Sequence, residues 1–550
     1  MLKTTKIISR FNFVFAALWG ALLFLPFLGS VHLFDWDEIN FAESAREMIV
    51  SGNYQKVQIN YQPFMEKPPL FFWIQVLSMR IFGIGEFAAR LPNALIGIIT
   101  LVFIFQAGKK IYGQKMAFLW VLMVTGSLTP HLYFKSGIID PLYNLLIFSA
   151  VYQLYLYYLN KKSIHALLLG IFLGLAVITK GPVAIIILVL CFLAFWTLKK
   201  YRQFFKFSDL LIATCTVILV SSIWFGLEII NSGPMFLIEF IKYQADLFLN
   251  PVAGHGQPFW YHPLVLLLGC FPASVFGLIY LFKRKHSETT EQNTFFQMMQ
   301  ILFWVVLVLF SIVETKIVHY SSLCYLPLTF IAAHYVNRIF ENKLKLSKIQ
   351  FALFAFIGLI IAGLLTAIPL IDYFKQLIIP YIKDDFAVAC LGIKGDWMGF
   401  EWIPGSLLFL VVLISCYYVW MEKMERAVYL LILFISIFLP FEMLLIAPGI
   451  ERYSQGPAID FFKAKRGAEC YLETLGYKSY AQYYYGAVMP SDNPNSKQLN
   501  WLKEDSIDKD AYFVLHVNNI DNHINLNMKE IGRKGGFVFF KREKTAKKNN

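Results

Sequence analysis

The chain has 550 residues, of which 57% are hydrophobic, 17% aromatic and only 15% charged, and its mean hydropathy is +0.56. A soluble domain carries about a quarter charged residues, so a soluble globular protein is excluded and a polytopic membrane protein is expected. The formal net charge of +13 does not indicate a nucleic-acid partner, because the basic residues fall in short clusters between apolar runs and form no single patch.

A spanning helix needs roughly 20 mostly apolar residues. Thirteen segments come near this, at 11–30, 91–107, 116–134, 141–159, 164–179, 182–198, 209–230, 262–282, 297–314, 319–337, 351–371, 404–420 and 427–447. Lys3, Lys6 and Arg10 precede the first, and no small-residue cleavage pattern follows it, so it reads as a retained signal anchor. Thr179-Lys180-Gly181-Pro182 separates the fifth from the sixth, since proline cannot continue a helix. Lysine and arginine gather in alternate loops: Lys109, Lys110 and Lys115; Lys161 and Lys162; Lys199, Lys200, Arg202 and Lys206; Lys283, Arg284 and Lys285; Arg338, Lys343, Lys345 and Lys348; Lys423 and Arg426. Short basic loops stay in the cytoplasm, which sets the N-terminus inside and the C-terminus outside. The first loop (31–90), the turn Lys135 to Asp140, Thr179-Lys180-Gly181, the segment 231–261, Thr315-Lys316 and the chain after Ala447 are then expected together on the outer face.

In the first loop, Glu38 to Val50 has Ile39, Ala42, Ala45, Met48 and Ile49 at helical spacing and reads as an amphipathic helix lying in the membrane interface. Leu70 to Phe82 is apolar but short, a second interfacial helix, and Met235 to Leu249 is a similar stretch. The transmembrane body is expected over 1–449. Beyond it, rising Asn, Asp and charge mark a small α/β domain at 450–543, with a helix over 457–475 and strands at 479–485, 511–517 and 536–541, then a disordered basic tail at 544–550. Five of the seven cysteines lie in apolar runs, and none has metal-ligand spacing. Cys390 and Cys470 lie in polar segments on the same, oxidising side, where either a disulfide or two free thiols are open readings.

Asp35, Asp37, Glu38 and Glu43, followed by Met65-Glu66-Lys67-Pro68-Pro69, stand close to apolar surface. Ionisable groups there are costly unless paired or functional, although a solvated loop would also carry charges. Asp37-Glu38, Ala42-Glu43, Arg46-Glu47-Met48, Glu66-Lys67-Pro68-Pro69-Leu70 and Glu86-Phe87-Ala88-Ala89-Arg90-Leu91-Pro92, with Gly254-His255-Gly256-Gln257-Pro258-Phe259-Trp260-Tyr261 further on, together resemble the aminoarabinose transferases and the protein O-mannosyltransferase-like membrane glycosyltransferases. The resemblance implies a mainly α GT-C fold in a bacterial inner membrane, with its active site on the periplasmic side. It implies a polyprenyl-phosphate (undecaprenyl-phosphate) sugar donor, carrying 4-amino-4-deoxy-arabinose or a hexose. The acceptor implied is lipid A or another envelope glycan, with inversion at the anomeric carbon; Ser/Thr of exported protein is the alternative. A lipid-linked-sugar transporter or flippase is the reading from another class, but such proteins place polar groups near the bilayer midplane in repeated halves, and no repeat is seen here.

This chemistry needs a carboxylate to take the acceptor's proton and cations to neutralise the leaving phosphate. Asp37 is the expected base, with Glu38 and Asp140 as further catalytic carboxylates; an N-terminal helix charge is the plainer role for Asp37. Lys67, Lys180 and Lys316 are the expected donor-phosphate ligands, each also able simply to snorkel. Glu66, Asp140 and His255 offer an oxygen and nitrogen set that zinc or a hard divalent ion such as magnesium or manganese would accept. No glycine-rich phosphate loop is present, so no nucleotide cofactor is expected. Relatives often continue Asp-Glu-x with Arg-Tyr, whereas Asn40-Phe41 stands here, which touches the sugar and acceptor assignment more than the reaction class.

Overall fold

A computed structural model describes residues 11–201, 204–249, 256–282, 289–342, 345–521 and 527–545. Every one of the thirteen apolar segments is helical, and eight helices among the described residues are long and apolar enough to cross a membrane by length and composition. Glu86–Tyr112, Asp140–Asn160, Ser163–Lys180, Phe207–Ser232 and Thr290–Ile312 are uninterrupted. Others are broken. The third segment divides into Gln114–Thr125 and Leu128–Tyr133, where a side chain at Gly126 would collide with Ile432. The eighth divides into Tyr261–Gly269 and Ala273–Tyr280 around Pro272. The break expected at Pro182 is present: Ser163–Lys180 ends at Gly181, whose φ of +95° suits glycine, and Val183–Leu198 follows. Thr289 with Gln292, and Ser347 with Gln350, form capping boxes that start Thr290–Ile312 and Lys348–Ala367.

The ends of the helices sort as the charge pattern predicts. At one end Lys161 donates to the Phe204 carbonyl (2.7 Å), and Lys199 to Gln297 Oε1 (2.9 Å). At the other end Lys180 meets Asp140, and His319 meets Asp37.

The first loop departs from expectation. Asp37–Ser51 is a helix, but from Glu38 to Met48 it is buried by protein on every side and leaves no exposed polar face. Two of its buried carboxylates are matched by arginine: Arg46 Nε and Nη2 donate to Glu43 (2.6 and 2.7 Å), and Arg90 takes Glu38. Two short strands, β1 (Gln58–Ile59) and β2 (Gln62–Pro63), form a hairpin that no sequence signal announced. Its turn residues Asn60 and Tyr61 both have positive φ, without the glycine that usually marks such a turn. Leu70–Phe82 buries Phe71, Phe72 and Gln75 while exposing Leu77, Ile81 and Phe82, as an interfacial helix would.

The C-terminal region contains β3 (Cys470–Leu475), β4 (Asp510–His516), β5 (Lys529–Lys534) and β6 (Phe537–Arg542) in the order β3-β4-β6-β5, with β3 parallel to β4 and the other pairs antiparallel. The strands expected at 511–517 and 536–541 are there. The helix expected over 457–475 stops early, at Gly456–Ala464, and β3 takes its second half. Residues 481–485 are helical rather than extended: Ser479 Oγ accepts from Ala481 N, and the tyrosine-rich turn packs on Asp37–Ser51. Tertiary packing here overrides the β preference of tyrosine. Lys544 and Thr545 are not loose tail, since Lys544 N donates to Asp510 Oδ1 and Thr545 N to the Ile507 carbonyl.

The disulfide reading fails on register. Cys390 lies beside Gly536, at the Phe537 end of β6, whereas Cys470 pairs with Asp510, whose neighbour Ala511 faces Arg542 at the other end. Six residues of strand at about 3.3 Å each separate the two ends, and both thiols are free.

Candidate active site

The loops expected on one face do converge. Asp37 at the start of its helix, Glu66 and Lys67 after β2, Asp140 at the start of Asp140–Asn160 and Lys180 at the end of Ser163–Lys180 all line one cavity of about 90 Å³. Trp36, Tyr243, His319, Tyr320, Lys478 and Tyr480 are also in its walls. On one side it adjoins an apolar cavity of about 610 Å³, with Trp36, Asp37, Ile317 and His319 common to both. On the other it adjoins a cavity of about 230 Å³, with Lys67 in common.

Asp37 sits in a relay. His319 Nε2 is 3.0 Å from Asp37 Oδ2, and His319 Nδ1 is 2.9 Å from the Tyr133 hydroxyl. A carboxylate accepts only, so the proton on the shared edge belongs to Nε2, and Tyr133 can donate to Nδ1. Burial pushes the Asp37 pKa up, but the His319 hydrogen bond and the charges of His319, Lys67 and Lys180 outweigh it and hold the carboxyl below its ordinary value. Asp37 is therefore ionised at neutral pH and fixed in orientation.

Lys180 Nζ is 2.5 Å from Asp140 Oδ1 and lies over the rings of Tyr143 (5.5 Å) and Tyr320 (5.3 Å). Lys67 is different. Among the described residues its ammonium has no hydrogen-bonded partner, and it stands between Glu66, Asp37 and Asp140 on one hand and Lys180 on the other. Burial, with Lys180 adding to it, draws its pKa down against those three carboxylates. An anion entering the cavity would favour its charged form.

Glu38 is not free for chemistry. Its carboxylate accepts from Arg90 Nε (2.9 Å) and Nη2 (2.7 Å), from Phe34 N (2.9 Å) and from Gly137 N. Arg90 also donates to the carbonyls of Leu28, Val31 and His32. The pair thus anchors the segment that leads into Asp37. Lys316 does not reach the cavity. Residues 315 to 317 are extended, so Thr315 and Ile317 face inward while Lys316 points away and lies buried near His262. Of the suggested metal set, Glu66 and Asp140 share the cavity, but Asp140 is engaged by Lys180 and His255 lies outside the described residues. Among the described residues no three His, Cys, Asp or Glu side chains are grouped to hold a metal.

No local motif or spacing marks His319, Tyr243, Lys478 or Tyr480 as cavity residues. Lys478 and Tyr480 come from the C-terminal region, which is held over the loop by Trp36 Nε1 donating to the Lys478 carbonyl (2.7 Å) and Lys478 Nζ lying 5.1 Å from the Trp36 ring centre.

An apolar helical body, a covering α/β region and a charged cavity at one end of the bundle are the build of a multi-pass membrane protein, and comparison of folds finds the same build in a known one. A crystal structure of ArnT from Cupriavidus metallidurans bound to undecaprenyl phosphate matches with a TM-score of 0.71 at 17% identity, over 96% of this chain and 97% of that one. In sequence, the family described as dolichyl-phosphate-mannose-protein mannosyltransferase matches residues 66–224. The undecaprenyl phosphate-alpha-4-amino-4-deoxy-L-arabinose arabinosyl transferase of Edwardsiella ictaluri is 28% identical over 366 residues, 63% of each chain. The corresponding transferase 1 of Proteus mirabilis is 26% identical over 326 residues, 57% of each. The matched part is thus under two thirds of the length of these relatives. The resemblance first seen in the loop motifs holds in sequence and in fold: the chain is similar to the aminoarabinose transferases and the protein mannosyltransferase-like GT-C proteins.

Proposed function

We propose that this chain is a membrane glycosyltransferase that moves a sugar from a polyprenyl-phosphate donor to an acceptor hydroxyl. The observation that carries the reading is an ionised, oriented Asp37 sharing one small cavity with the unpartnered Lys67 ammonium. Asp37 takes the proton of the acceptor hydroxyl as its oxygen attacks the anomeric carbon. The bond from that carbon to the phosphate oxygen breaks with inversion, and the electron pair leaves on the phosphate. Lys67, supported by Lys180, binds the phosphate and neutralises it. Asp140 positions Lys180, and His319 orients Asp37. Glu38 positions the loop through Arg90, and Lys316 has no part in the site. No step is routed through a metal, because the described residues do not complete a ligand set.

The apolar 610 Å³ cavity beside Asp37 suits lipid, either the donor's chain or a lipid acceptor. The relatives' names favour undecaprenyl phosphate and 4-amino-4-deoxy-arabinose as donor parts. The acceptor in this reading is lipid A or another envelope glycan, and transfer to Ser/Thr of exported protein is the variant reading. The bacterial sources of the relatives favour an inner membrane, with 1–449 as its membrane body, and the basic loops favour the cavity and the region 450–543 on the outer, periplasmic side. A transporter would carry its charges near the midplane; here they meet at one end of the bundle.

The test is transfer from undecaprenyl-phosphate-linked aminoarabinose to lipid A by the purified full-length protein. Asp37→Asn keeps the shape and cannot take the proton, so transfer should fall by about 10²-fold or more while thermal stability holds. Turnover near wild type would remove Asp37 as the base.

A further inference from the structure

The cavity of about 230 Å³ beyond Lys67 has a buried floor and a charged rim. Trp224, Val57 and Glu228 form the floor, and Lys56, Met235 and Glu239 stand exposed at the rim, with Phe236 between. Glu228 is only 3% exposed. One of its oxygens, Oε2, accepts from Ser232 Oγ at 3.1 Å, but Oε1 has no hydrogen-bond partner among the described residues. A buried carboxylate oxygen left without a donor is costly, and that cost is recovered when a ligand supplies the proton. The Trp224 indole is fixed by its Nε1 donating to the Gln55 carbonyl at 3.1 Å. Gln55 Nε2 is also without a partner, but Gln55 does not line this cavity.

We propose that this cavity takes the sugar ring of the donor, and that Glu228 is a specificity-determining residue that accepts a hydrogen bond from a cationic amino group on that ring. The proposal rests on the donor reading above. Lys67 lines both cavities, so a sugar esterified to a phosphate held by Lys67 reaches this one directly. The charges select the substituent. Once Lys67 is matched to phosphate, Glu228 and Glu239 face only Lys56, which leaves the lining net negative. A neutral hydroxyl would satisfy Oε1, but only an ammonium also balances the second carboxylate, and the flat Trp224 and Phe236 rings favour a cation again.

The experiment measures equilibrium binding to the full-length protein in nanodiscs of undecaprenyl phosphate bearing 4-amino-4-deoxy-arabinose, of its N-formyl derivative, and of undecaprenyl phosphate alone. Wild type should prefer the amine to the formamide by about tenfold or more, the scale of one charged hydrogen bond. Glu228→Gln should erase that preference and leave the affinity for unsubstituted undecaprenyl phosphate unchanged. Retained preference in Glu228→Gln overturns the proposal, as does an equal loss for undecaprenyl phosphate alone, which would mark a merely structural role. Should Glu228→Gln not fold, the exposed Glu239→Gln decides: a loss of about threefold in the preference supports the proposal, and an unchanged preference overturns it. Failure of the donor reading shows separately, as no binding of unsubstituted undecaprenyl phosphate to wild type.

Discussion

Removing Arg90 tests whether the buried ion pair, rather than the helix alone, holds Asp37 in place. Arg90 is fully buried and makes five hydrogen bonds: two to Glu38 and one each to the carbonyls of Leu28, Val31 and His32. In Arg90→Met the Glu38 charge keeps only the amides of Phe34 and Gly137, and three carbonyls lose their donor. Breaking one side of a buried pair costs about 3 to 5 kcal/mol, a large share of the stability of most domains. The double variant Glu38→Met/Arg90→Met removes both charges, so it should be more stable than Arg90→Met alone, although it lacks more contacts. Thermal unfolding in detergent, followed by size-exclusion fluorescence, gives the order: wild type, then the double variant, then Arg90→Met. Transfer should fall in both variants, since residues 28–34 lead into Asp37. An Arg90→Met protein as stable as wild type, or a double variant less stable than the single one, would refute the reasoning.

Lys67→Ala should weaken binding of undecaprenyl phosphate by at least about tenfold, through loss of a charge-assisted contact, and an unchanged affinity would remove Lys67 as the phosphate ligand. His319→Phe should move the acid limb of the pH–rate profile upward. The sign follows from the base: Asp37 works ionised, its pKa is held down by His319 and the lysines against burial, and activity is lost as pH falls through that pKa. Without His319 the pKa rises, so the loss begins at higher pH; a limb that stays in place or moves down counts against the relay. Thiol blocking before peptide mapping under non-reducing conditions should find Cys390 and Cys470 both alkylated, and a linked Cys390–Cys470 peptide would contradict the observed register.

Much of this fold is legible because apolar length and basic clusters are local properties. The break at Gly181-Pro182 and the strands near 511–517 and 536–541 follow from composition alone. The gathering of Asp37, Lys67, Asp140 and Lys180 was legible too, since alternating loops set all four at one end. Burial of Asp37–Ser51 was not: its charged face looks solvated until Arg46 is seen on Glu43 and on the Val488 carbonyl, 442 residues away. Lys316 failed for a reason of geometry, one residue out of phase in an extended segment whose neighbours face the cavity. The hairpin at 58–63 was hidden because Asn60 and Tyr61 take left-handed backbone where glycine is the usual sign; Glu47 accepts from Tyr61 N, and Lys497 donates to the Tyr61 carbonyl, which together hold the turn.

These long-range bonds change what the C-terminal region is for. The residues just before Asp37 are not helical, so their backbone groups need partners from elsewhere. Leu33 N donates to the Tyr485 hydroxyl at 2.7 Å, Asp35 N donates to Gln455 Oε1 at 3.0 Å, and Gln455 Nε2 donates to the Leu33 carbonyl at 2.8 Å. On the membrane side the same segment is tied by Arg90 to the His32 carbonyl and by Glu38 to Phe34 N. The candidate base therefore stands at the end of a strap fastened from both sides, and Lys478 and Tyr480 reach the cavity from the covering side. A soluble region that merely hung from the last helix would make none of these bonds. Its place is structural and electrostatic at once: it satisfies the backbone that aims Asp37, and through Lys478 it adds a positive charge to the wall of the cavity proposed for the donor phosphate.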